Sequence, residues 1–166
     1  AQRCSQNVRN PLRQRSKESL ILTIKTRHEP EGYVCPFCQF LIGIEDDSTL
    51  LRPSDLIMET ENIAAFVSVK WWPKNPGHIL IIPKQHIENI FEMPDHFLSE
   101  ISIATKKVAL ALKEALDCEG ISIRQHNEPS GNQDVWHYHQ HIFPRWKSDN
   151  LYGSEGSFVS INERRS

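Results

Sequence analysis

The alternation of histidines at residues 137–141 (HYHQH) is the feature that most limits how this chain folds. Side chains on a β-strand point alternately to its two faces, so a strand here places all three imidazoles on one face, with Cα atoms about 6.5–7 Å apart. The flanking residues are strand formers closed by a proline: Val135, Trp136, Ile142, Phe143 and Pro144. The sequence therefore predicts a strand over 135–144 with a row of imidazoles. In such a row one ring acts on a substrate while its neighbours orient it, move protons or hold a metal.

The composition indicates one globular domain of modest charge. A chain of 166 residues is long enough to bury about 70% of its unfolded surface in a single core. Its formal net charge of -2 provides no strong field for nucleic acid or an anionic membrane, so we expect no specific nucleic-acid partner and no membrane partner. No apolar stretch approaches the roughly 20 residues that a membrane helix requires.

The remaining elements predict an α+β domain. The clearest helix runs over 94–117, with Pro94 in its first turn, an apolar stripe at helical spacing and Gly120 as a left-handed stop. Strands are predicted at 63–69, 78–82, 121–126 and 135–144. Hairpins gathered around one long helix indicate an antiparallel sheet of about five strands.

The two ends of the chain differ from the domain predicted at 29–148. Residues 1–28 form a basic extension with a short predicted helix over 16–26, and the first 17 residues contain no acidic side chain. This composition fits a partly disordered extension or the remnant of an organelle-targeting peptide. Residues 149–166, which include two glycines, are predicted to form a surface tail.

The closely spaced pair Cys35 and Cys38 indicates a metal site. A Cys-x-x-Cys turn supplies two thiolates, which is half of a tetrahedral zinc site, and His86 with one member of the histidine row are the expected further ligands. A thioredoxin-like redox pair and two plain buried thiols are the alternatives, and the redox pair requires a strand–motif–helix context that the sequence shows poorly. Because the spacing does not fit a secreted disulfide framework, a reducing, cytosolic compartment is expected.

A histidine row of this kind suits attack on phosphorus. A neutral imidazole nitrogen attacks phosphorus well and leaves well, provided that a hydrogen bond to the other nitrogen fixes the tautomer. His139 is flanked on both sides and is the expected nucleophile. The preceding loop carries Asn127, Gly131 and Gln133, whose amides and free backbone N–H groups would suit the negative charge of a phosphorus-centred transition state.

Residues 137–143 resemble the signature of the histidine-triad (HIT) superfamily of nucleotide hydrolases and transferases, His-φ-His-φ-His-φ-φ with φ apolar. The segment 76–86 (PGHILIIPKQH) is similar to the family's Gly-His strand and the Pro-x-x-His that follows it. The loop at 127–133 is similar to the family's phosphate-contacting segment, and the cysteine pair is similar to the zinc pair of many microbial members. The resemblance covers roughly residues 33–147.

The resemblance implies a role for each matched residue. His139 becomes nucleotidylated, supported by His141 and His78. Contacts to the α-phosphate come from the loop residues Asn127, Gly131 and Gln133. A structural zinc ion is held by Cys35, Cys38, His86 and His137. The family also implies a purine nucleotide substrate and a homodimer with one sheet continued across the two subunits.

Three positions depart from the family pattern. Gln140 is polar where the motif has an apolar residue. Lys70 stands where many members have an Asp or Asn that binds ribose hydroxyls, so altered nucleoside recognition is expected at this position. Asp134 replaces a small residue near the scissile phosphate, and a carboxylate there would disfavour a dianionic leaving group and favour a cationic amine.

The sequence thus favours a nucleotide-binding hydrolase or transferase that acts at the α-phosphate of a phosphoramidate or dinucleoside polyphosphate. Two other interpretations stay open on the sequence. One is a metalloenzyme in which His137, His139 and His141 bind one metal ion. The other is a zinc-stabilised binding module without catalysis.

Overall fold

The computed structural model of the chain describes residues 27–45 and 50–165. The short helix predicted over 16–26 lies outside the described residues. The elements follow in this order: α1 (Pro36–Leu41), β1 (Leu56–Glu59), β2 (Ile63–Val67), β3 (Lys70–Trp71), β4 (Ile79–Pro83), α2 (Asp95–Leu116), β5 (Gly120–Gln125), β6 (Gln140–Arg145), β7 (Ser157–Phe158) and α3 (Ile161–Arg165).

Five of the strands form one antiparallel sheet in the order β1-β2-β4-β6-β5, while β3 and β7 pair separately. The predicted α+β class, with a sheet of about five strands and one long helix, is confirmed. The interior strands β2 and β4 read IAAFV and ILIIP and are almost wholly buried, as expected for strands covered on both faces. The edge strand β1 is largely exposed, and the sequence did not predict it.

The sheet has an apolar core on each face. Against α2 lie alternate residues of the two interior strands, together with the inner stripe of the helix: Ile63, Ala65, Ile79, Ile81, Phe97, Ile101, Ala104 and Val108. The opposite face packs against α1 through Phe37, Phe40, Ala64, Phe66, Leu80 and Ile82. Each large side chain removed from water in this way contributes about 1.5–3 kcal/mol. The face covered by α1 also carries the histidines.

α2 runs from Asp95 to Leu116, close to the predicted bounds. Its stop differs from the prediction, because Asp117 takes the left-handed conformation (φ 47°) and Gly120 already begins β5. Asp is one of the few residues besides glycine that adopts this conformation at low cost. No helix within residues 27–45 and 50–165 is long and apolar enough to cross a membrane.

The strand that carries the histidine row begins later than predicted. β6 starts at Gln140 rather than Val135, so only His141 of the three histidines belongs to the ladder. The backbone before it is diverted, because the N–H of Tyr138 donates to the carbonyl of Ile87 at 2.6 Å. The alternation of faces nevertheless persists, since Tyr138 is buried in the core beneath α2 while the histidines lie on the other face.

The C-terminal segment is attached to the domain more firmly than a surface tail requires. β7 pairs with β3, and the side chains of Arg164 and Asp55 form an ion pair at 2.9 Å that is 3% and 1% exposed. The Arg164 guanidinium also donates to the carbonyls of Val159 and Leu50. Residues 157–165 therefore close over the loop that precedes β1.

Breaking this ion pair is expected to destabilise the protein. Arg164→Ala leaves the Asp55 carboxylate buried without its cation, which costs about 3–5 kcal/mol in the free energy of unfolding. Denaturant unfolding checks the value. Arg165→Ala is the matched control, because this neighbouring arginine is exposed and its guanidinium hydrogen-bonds to the hydroxyl of Ser54 rather than to a buried carboxylate. A loss below about 1 kcal/mol for Arg164→Ala, the range of a surface pair, would contradict the interpretation.

Candidate active site and metal site

The imidazoles of the row lie at the start of β6, on the sheet face that α1 covers. His137 and His139 are 0% and 2% exposed, and the ring of Phe37 lies edge-on to both at 5.8 and 5.5 Å. His78, immediately before β4, is 1% exposed and joins them. The ring centre of His141 lies 5.1 Å from that of His78 and 4.8 Å from that of His139, so the structure brings together the three histidines for which the sequence predicted catalysis.

His139 is held in one tautomer. Its Nδ1 lies 2.8 Å from the backbone carbonyl oxygen of His137. A carbonyl only accepts, so Nδ1 carries the proton and Nε2 keeps a lone pair. Burial lowers the pKa of His139, which favours this neutral form. The carboxylate of Asp134, on an exposed side chain, lies 3.8 Å from Nε2.

His78 and His141 form a second, linked pair. Nδ1 of His78 donates to the backbone carbonyl of Lys70 at 3.0 Å, so its Nε2 accepts from Nδ1–H of His141, also at 3.0 Å. Burial lowers the pKa of His78 to about 3 and that of His141 well below its ordinary value. The ring of Phe143 stacks on His78 at 4.0 Å. Both rings are therefore neutral, and Nε2 of His141 is left as an acceptor beside His139, whose ring centre is 4.8 Å away.

The loop before the row uses most of its polar groups internally. The buried amide of Gln133 donates to the carbonyls of Glu88 and Val135. The side-chain oxygen of Asn127 accepts from the N–H of Ile90 and from the amide of Gln125, and the amide nitrogen of Asn127 donates to the side-chain oxygen of Gln125. The backbone N–H groups of residues 131–133 bond within the loop. The prediction that these N–H groups are free is wrong, because the loop closes as a 3₁₀ turn over Pro129–Gly131. The side chains of Asn127 and Gln133 and the backbone N–H groups of residues 131–133 are therefore engaged in hydrogen bonds within the protein. The loop supports the site and does not present these groups as free donors.

His126 is a site residue that the sequence did not identify. β5 and β6 pair Gln125 with Gln140, so the next residue along, His126, continues opposite His139. Its ring centre lies 5.4 Å from that of His141, and its Nδ1 donates to the carbonyl of Gly131 at 2.7 Å. Alternation along the predicted strand 121–126 was the signal that could have placed this imidazole on the histidine face.

Lys70 reaches the site through its backbone. Its carbonyl holds His78, whereas its exposed ammonium group lies 5.6 Å from the ring centre of Trp72. Trp72 in turn lies edge-on to His78 at 5.7 Å. The residue therefore contributes a fixed hydrogen bond behind the histidines and an exposed cation beside Trp72.

Four side chains form a cluster suited to a tetrahedral metal ion: Cys35, Cys38, His86 and His137, whose candidate ligand atoms all lie within 4.8 Å of one another. Nε2 of His137 donates to the carbonyl of Pro83 at 2.9 Å, which leaves Nδ1 facing the sulfurs of Cys35 and Cys38 at 3.4 and 3.6 Å. His86 presents Nδ1 to Cys38 at 3.2 Å. Two thiols and two imidazole lone pairs are the donor set that zinc prefers.

The electrostatics of the cluster also fit a cation. Burial, together with the adjacent Cys35, raises the pKa of Cys38 to about 12, so a bound cation is needed to hold Cys38 as a thiolate. Burial lowers the pKa of His137 to about 4, which keeps this ligand neutral. Within the described residues the metal-competent cluster includes His137 but neither His139 nor His141, which disfavours a metalloenzyme that uses all three.

A family model described as the HIT domain matches residues 50–148, a range that contains β1 to β6 and the whole histidine row. The chain belongs to the HIT family. Protein hit of Bacillus subtilis is 32% identical over 120 residues, which cover 72% of this HIT protein and 77% of that relative. The adenosine 5′-monophosphoramidase of Candida albicans is 31% identical over 115 residues, which cover 67% and 70% of the two chains.

A solved structure with the same fold contains zinc. The crystal structure of a zinc-bound histidine triad family protein from Mycobacterium smegmatis superposes on this HIT protein with a TM-score of 0.64 at 26% identity, and the match covers 79% of this chain and 88% of that one. A family member that binds zinc is compatible with the cysteine and histidine cluster described above.

Proposed function

We propose that this HIT protein binds a purine nucleotide and hydrolyses or transfers at its α-phosphorus through a nucleotidyl-His139 intermediate. The observation that carries the proposal is the hydrogen bond from Nδ1–H of His139 to the carbonyl of His137, which fixes Nε2 as an available lone pair. The name of the Candida albicans relative supports an adenosine phosphoramidate as the first substrate to test. Release of AMP and ammonia from adenosine 5′-phosphoramidate by the purified protein is the experiment. The proposal falls if neither this compound nor a dinucleoside polyphosphate is bound or cleaved.

The proposed reaction has two displacements at phosphorus. Nε2 of His139 attacks the α-phosphorus in line, and the bond from phosphorus to the leaving group breaks as the P–Nε2 bond forms. The leaving group departs on the opposite side, either as a phosphate or as an amine whose nitrogen has taken a proton from solvent. The ring then carries a positive charge with Nδ1 still protonated, and the carbonyl of His137 stabilises this charge. Water then attacks the same phosphorus and loses a proton to solvent, the P–Nε2 bond breaks with its electron pair returning to Nε2, and the mononucleotide is released.

The pair His78 and His141 supports this chemistry in the proposal. The carbonyl of Lys70 fixes His78, and His78 fixes His141, so the orientation of the ring beside the nucleophile is set from the protein interior. Preorganised dipoles of this kind need not rearrange when charge develops in the transition state. We also propose that the exposed ammonium group of Lys70, which lies beside Trp72 at the edge of the site, contacts the substrate.

We propose that the α-phosphate contact comes from the imidazole of His126, with Asn127, Gly131 and Gln133 holding the loop that positions it. His126 lies beside the histidine row, whereas the amides of Asn127 and Gln133 are engaged within the protein. Its Nδ1 is tied to Gly131, so Nε2 is the atom left to donate, when protonated, to a phosphoryl oxygen.

His126→Ala is expected to lower kcat/KM for adenosine 5′-phosphoramidate by about 10²-fold, the loss typical of one donor to a developing charge. His126→Asn and His126→Gln, which restore an N–H donor, are expected to recover part of this loss. His96→Ala is the matched control, because His96 is an exposed histidine on α2. Steady-state rates of the four variants check this, and full activity of His126→Ala would refute the contact.

Asp134 is proposed to select the leaving group. Its carboxylate lies 3.8 Å from Nε2 of His139, so it would repel a departing phosphate and attract a departing ammonium ion. Asp134→Ser is expected to raise turnover of a dinucleoside polyphosphate relative to the phosphoramidate by about threefold to tenfold, a modest effect because the side chain is 75% exposed. An unchanged ratio of the two kcat/KM values would dispose of this role.

The zinc ion is proposed to be structural, held by Cys35, Cys38, His86 and His137. When bound it supplies a cross-link between the segment around α1 and the residues that lead into β6, without taking part in the chemical steps. Because both cysteines must be thiolates, we also propose a reducing, cytosolic setting.

A homodimer is proposed on the basis of family membership. Within the described sheet, β1 and β5 are the strands with an unpaired edge, and either could continue a sheet into a second subunit. An apolar groove of about 430 Å³ between β1 and α2, lined by Ile57, Met58, Ala111 and Ala115 among others, supplies further surface for such a contact.

A further inference from the structure

We propose that Glu29 is a positioning residue of the metal site, which orients His86 and raises the affinity of the cluster for zinc. Its carboxylate oxygen Oε2 lies 2.9 Å from Nε2 of His86. Glu29 precedes the range that the family model matches, so this role comes from contacts of the segment that leads into the cysteine pair. The proposal depends on the cluster binding zinc and does not depend on the proposed catalytic function.

The contact decides which nitrogen of His86 faces the metal. A carboxylate accepts a hydrogen bond, so Nε2 of His86 carries the proton and Nδ1 keeps the lone pair that points towards Cys38 at 3.2 Å. A carboxylate on the far nitrogen also makes the imidazole a stronger ligand. His137 obtains the same tautomer from the carbonyl of Pro83. Each histidine of the cluster therefore has an oxygen partner behind it.

His86 needs such a partner more than His137 does. His137 is fully buried and fixed by its surroundings, whereas the side chain of His86 is 36% exposed and would otherwise change tautomer and orientation with the solvent. Glu29 is the charged residue that lies against this exposed ligand, and its own side chain is 34% exposed. Without Glu29, His86 would therefore be the least firmly held ligand of the cluster.

Glu29 is itself held in place by a buried acid. The carboxylate of Glu88, which is 2% exposed, accepts from the backbone N–H groups of His28 and Glu29 at 2.7 and 3.3 Å. Glu88 lies two residues after His86, so the same turn carries the ligand and anchors the segment that orients it. Arg27 adds a salt bridge to Glu92 at 2.8 Å. Residues 27–29 therefore form a short segment, the strap, which is held against the loop that carries His86 and Glu88.

The test is competition for zinc between the 166-residue protein and a chromophoric chelator, measured without nucleotide. Glu29→Ala is expected to raise the dissociation constant for zinc by about 10-fold to 100-fold, as loss of an outer-shell partner typically does. Glu29→Gln, whose amide oxygen still accepts from Nε2–H, is expected to lie between wild type and Glu29→Ala. Glu31→Gln removes a charge from the same exposed turn and is the matched control, with an expected change below about twofold.

A second measurement separates orientation of His86 from a general loosening of the strap. In protein labelled with ¹⁵N-histidine, Nε2 of His86 is expected to show a protected N–H in wild type and Glu29→Gln, and to lose that protection in Glu29→Ala. Zinc affinity that is the same in Glu29→Ala and wild type overturns the proposal, as does an equal loss in Glu31→Gln. Wild-type protein that fails to bind zinc overturns it too, whereas absence of nucleotide turnover leaves it standing.

Discussion

Replacing His139 with alanine is expected to lower turnover of adenosine 5′-phosphoramidate by at least about 10³-fold, because the atom that forms the bond to phosphorus is removed. His141 also keeps an Nε2 lone pair, but the bond from its Nδ1–H to His78 holds its ring 4.8 Å from that of His139, so we expect that it does not reach the phosphorus that His139 attacks. Initial rates at saturating substrate measure the effect. A variant that kept more than a tenth of wild-type activity would exclude His139 as the nucleophile.

The control for this variant concerns the fold. His139 is 2% exposed, so its removal leaves a small cavity and lowers stability to some extent. Thermal unfolding and zinc content of the purified variant show whether the domain is retained. His96→Ala, an exposed histidine far along the sequence from the row, is expected to keep both activity and stability.

Removal of zinc is expected to lower stability by an amount similar to the loss of the Arg164–Asp55 ion pair. At a free zinc concentration about 1,000 times the dissociation constant, binding to the folded state alone contributes about 4 kcal/mol. In a chain of this length that corresponds to a fall of about 8–16 °C in Tm when a chelator takes the metal. Differential scanning calorimetry with and without chelator measures the shift.

The cysteine variants make the zinc prediction specific. Cys35→Ser is expected to abolish most of the chelator-dependent shift, since one of the two sulfur ligands is lost. Cys118→Ser is the matched control, because Cys118 is equally buried but lies outside the cluster. A Tm that does not respond to the chelator in any variant would mean that the cluster does not hold the fold together.

Much of the fold followed from local patterns in the sequence. The apolar stripe of α2 and the apolar run of β4 gave these elements nearly their observed bounds, because each pattern reflects burial that the element itself determines. The edge strand β1, Leu56–Glu59, gave no such signal, since its side chains are mostly exposed. The left-handed residue that ends α2 was predicted at Gly120 rather than at Asp117, because a non-glycine residue in this conformation leaves little trace in the sequence.

The candidate site was predicted in part. The period of two in the histidine row placed His137, His139 and His141 on one face, even though the regular ladder begins only at Gln140. Tertiary hydrogen bonds decided the rest. The bond from Tyr138 to Ile87 diverts the strand. The side chain of Asn127 is bonded to Ile90 and Gln125, while His126 lies beside the row.

The C-terminal segment shows a further limit of local patterns. Its sequence contains short polar runs and glycines, which indicate a surface tail, yet Arg164 reaches Asp55 across 109 positions of the chain. An ion pair between residues so far apart has no periodicity that a single sequence reveals. The cluster of Cys35, Cys38, His86 and His137 is similar in this respect, because only two of its members stand close together in the sequence.

Mass spectrometry of protein quenched during turnover of adenosine 5′-phosphoramidate tests the central claim most directly. The account predicts the added mass of one adenylyl group on the peptide that spans residues 125–145, located on His139 and absent from His139→Ala. Turnover by wild-type protein with this peptide unmodified at every quench time, or with the adduct on another residue, would contradict it.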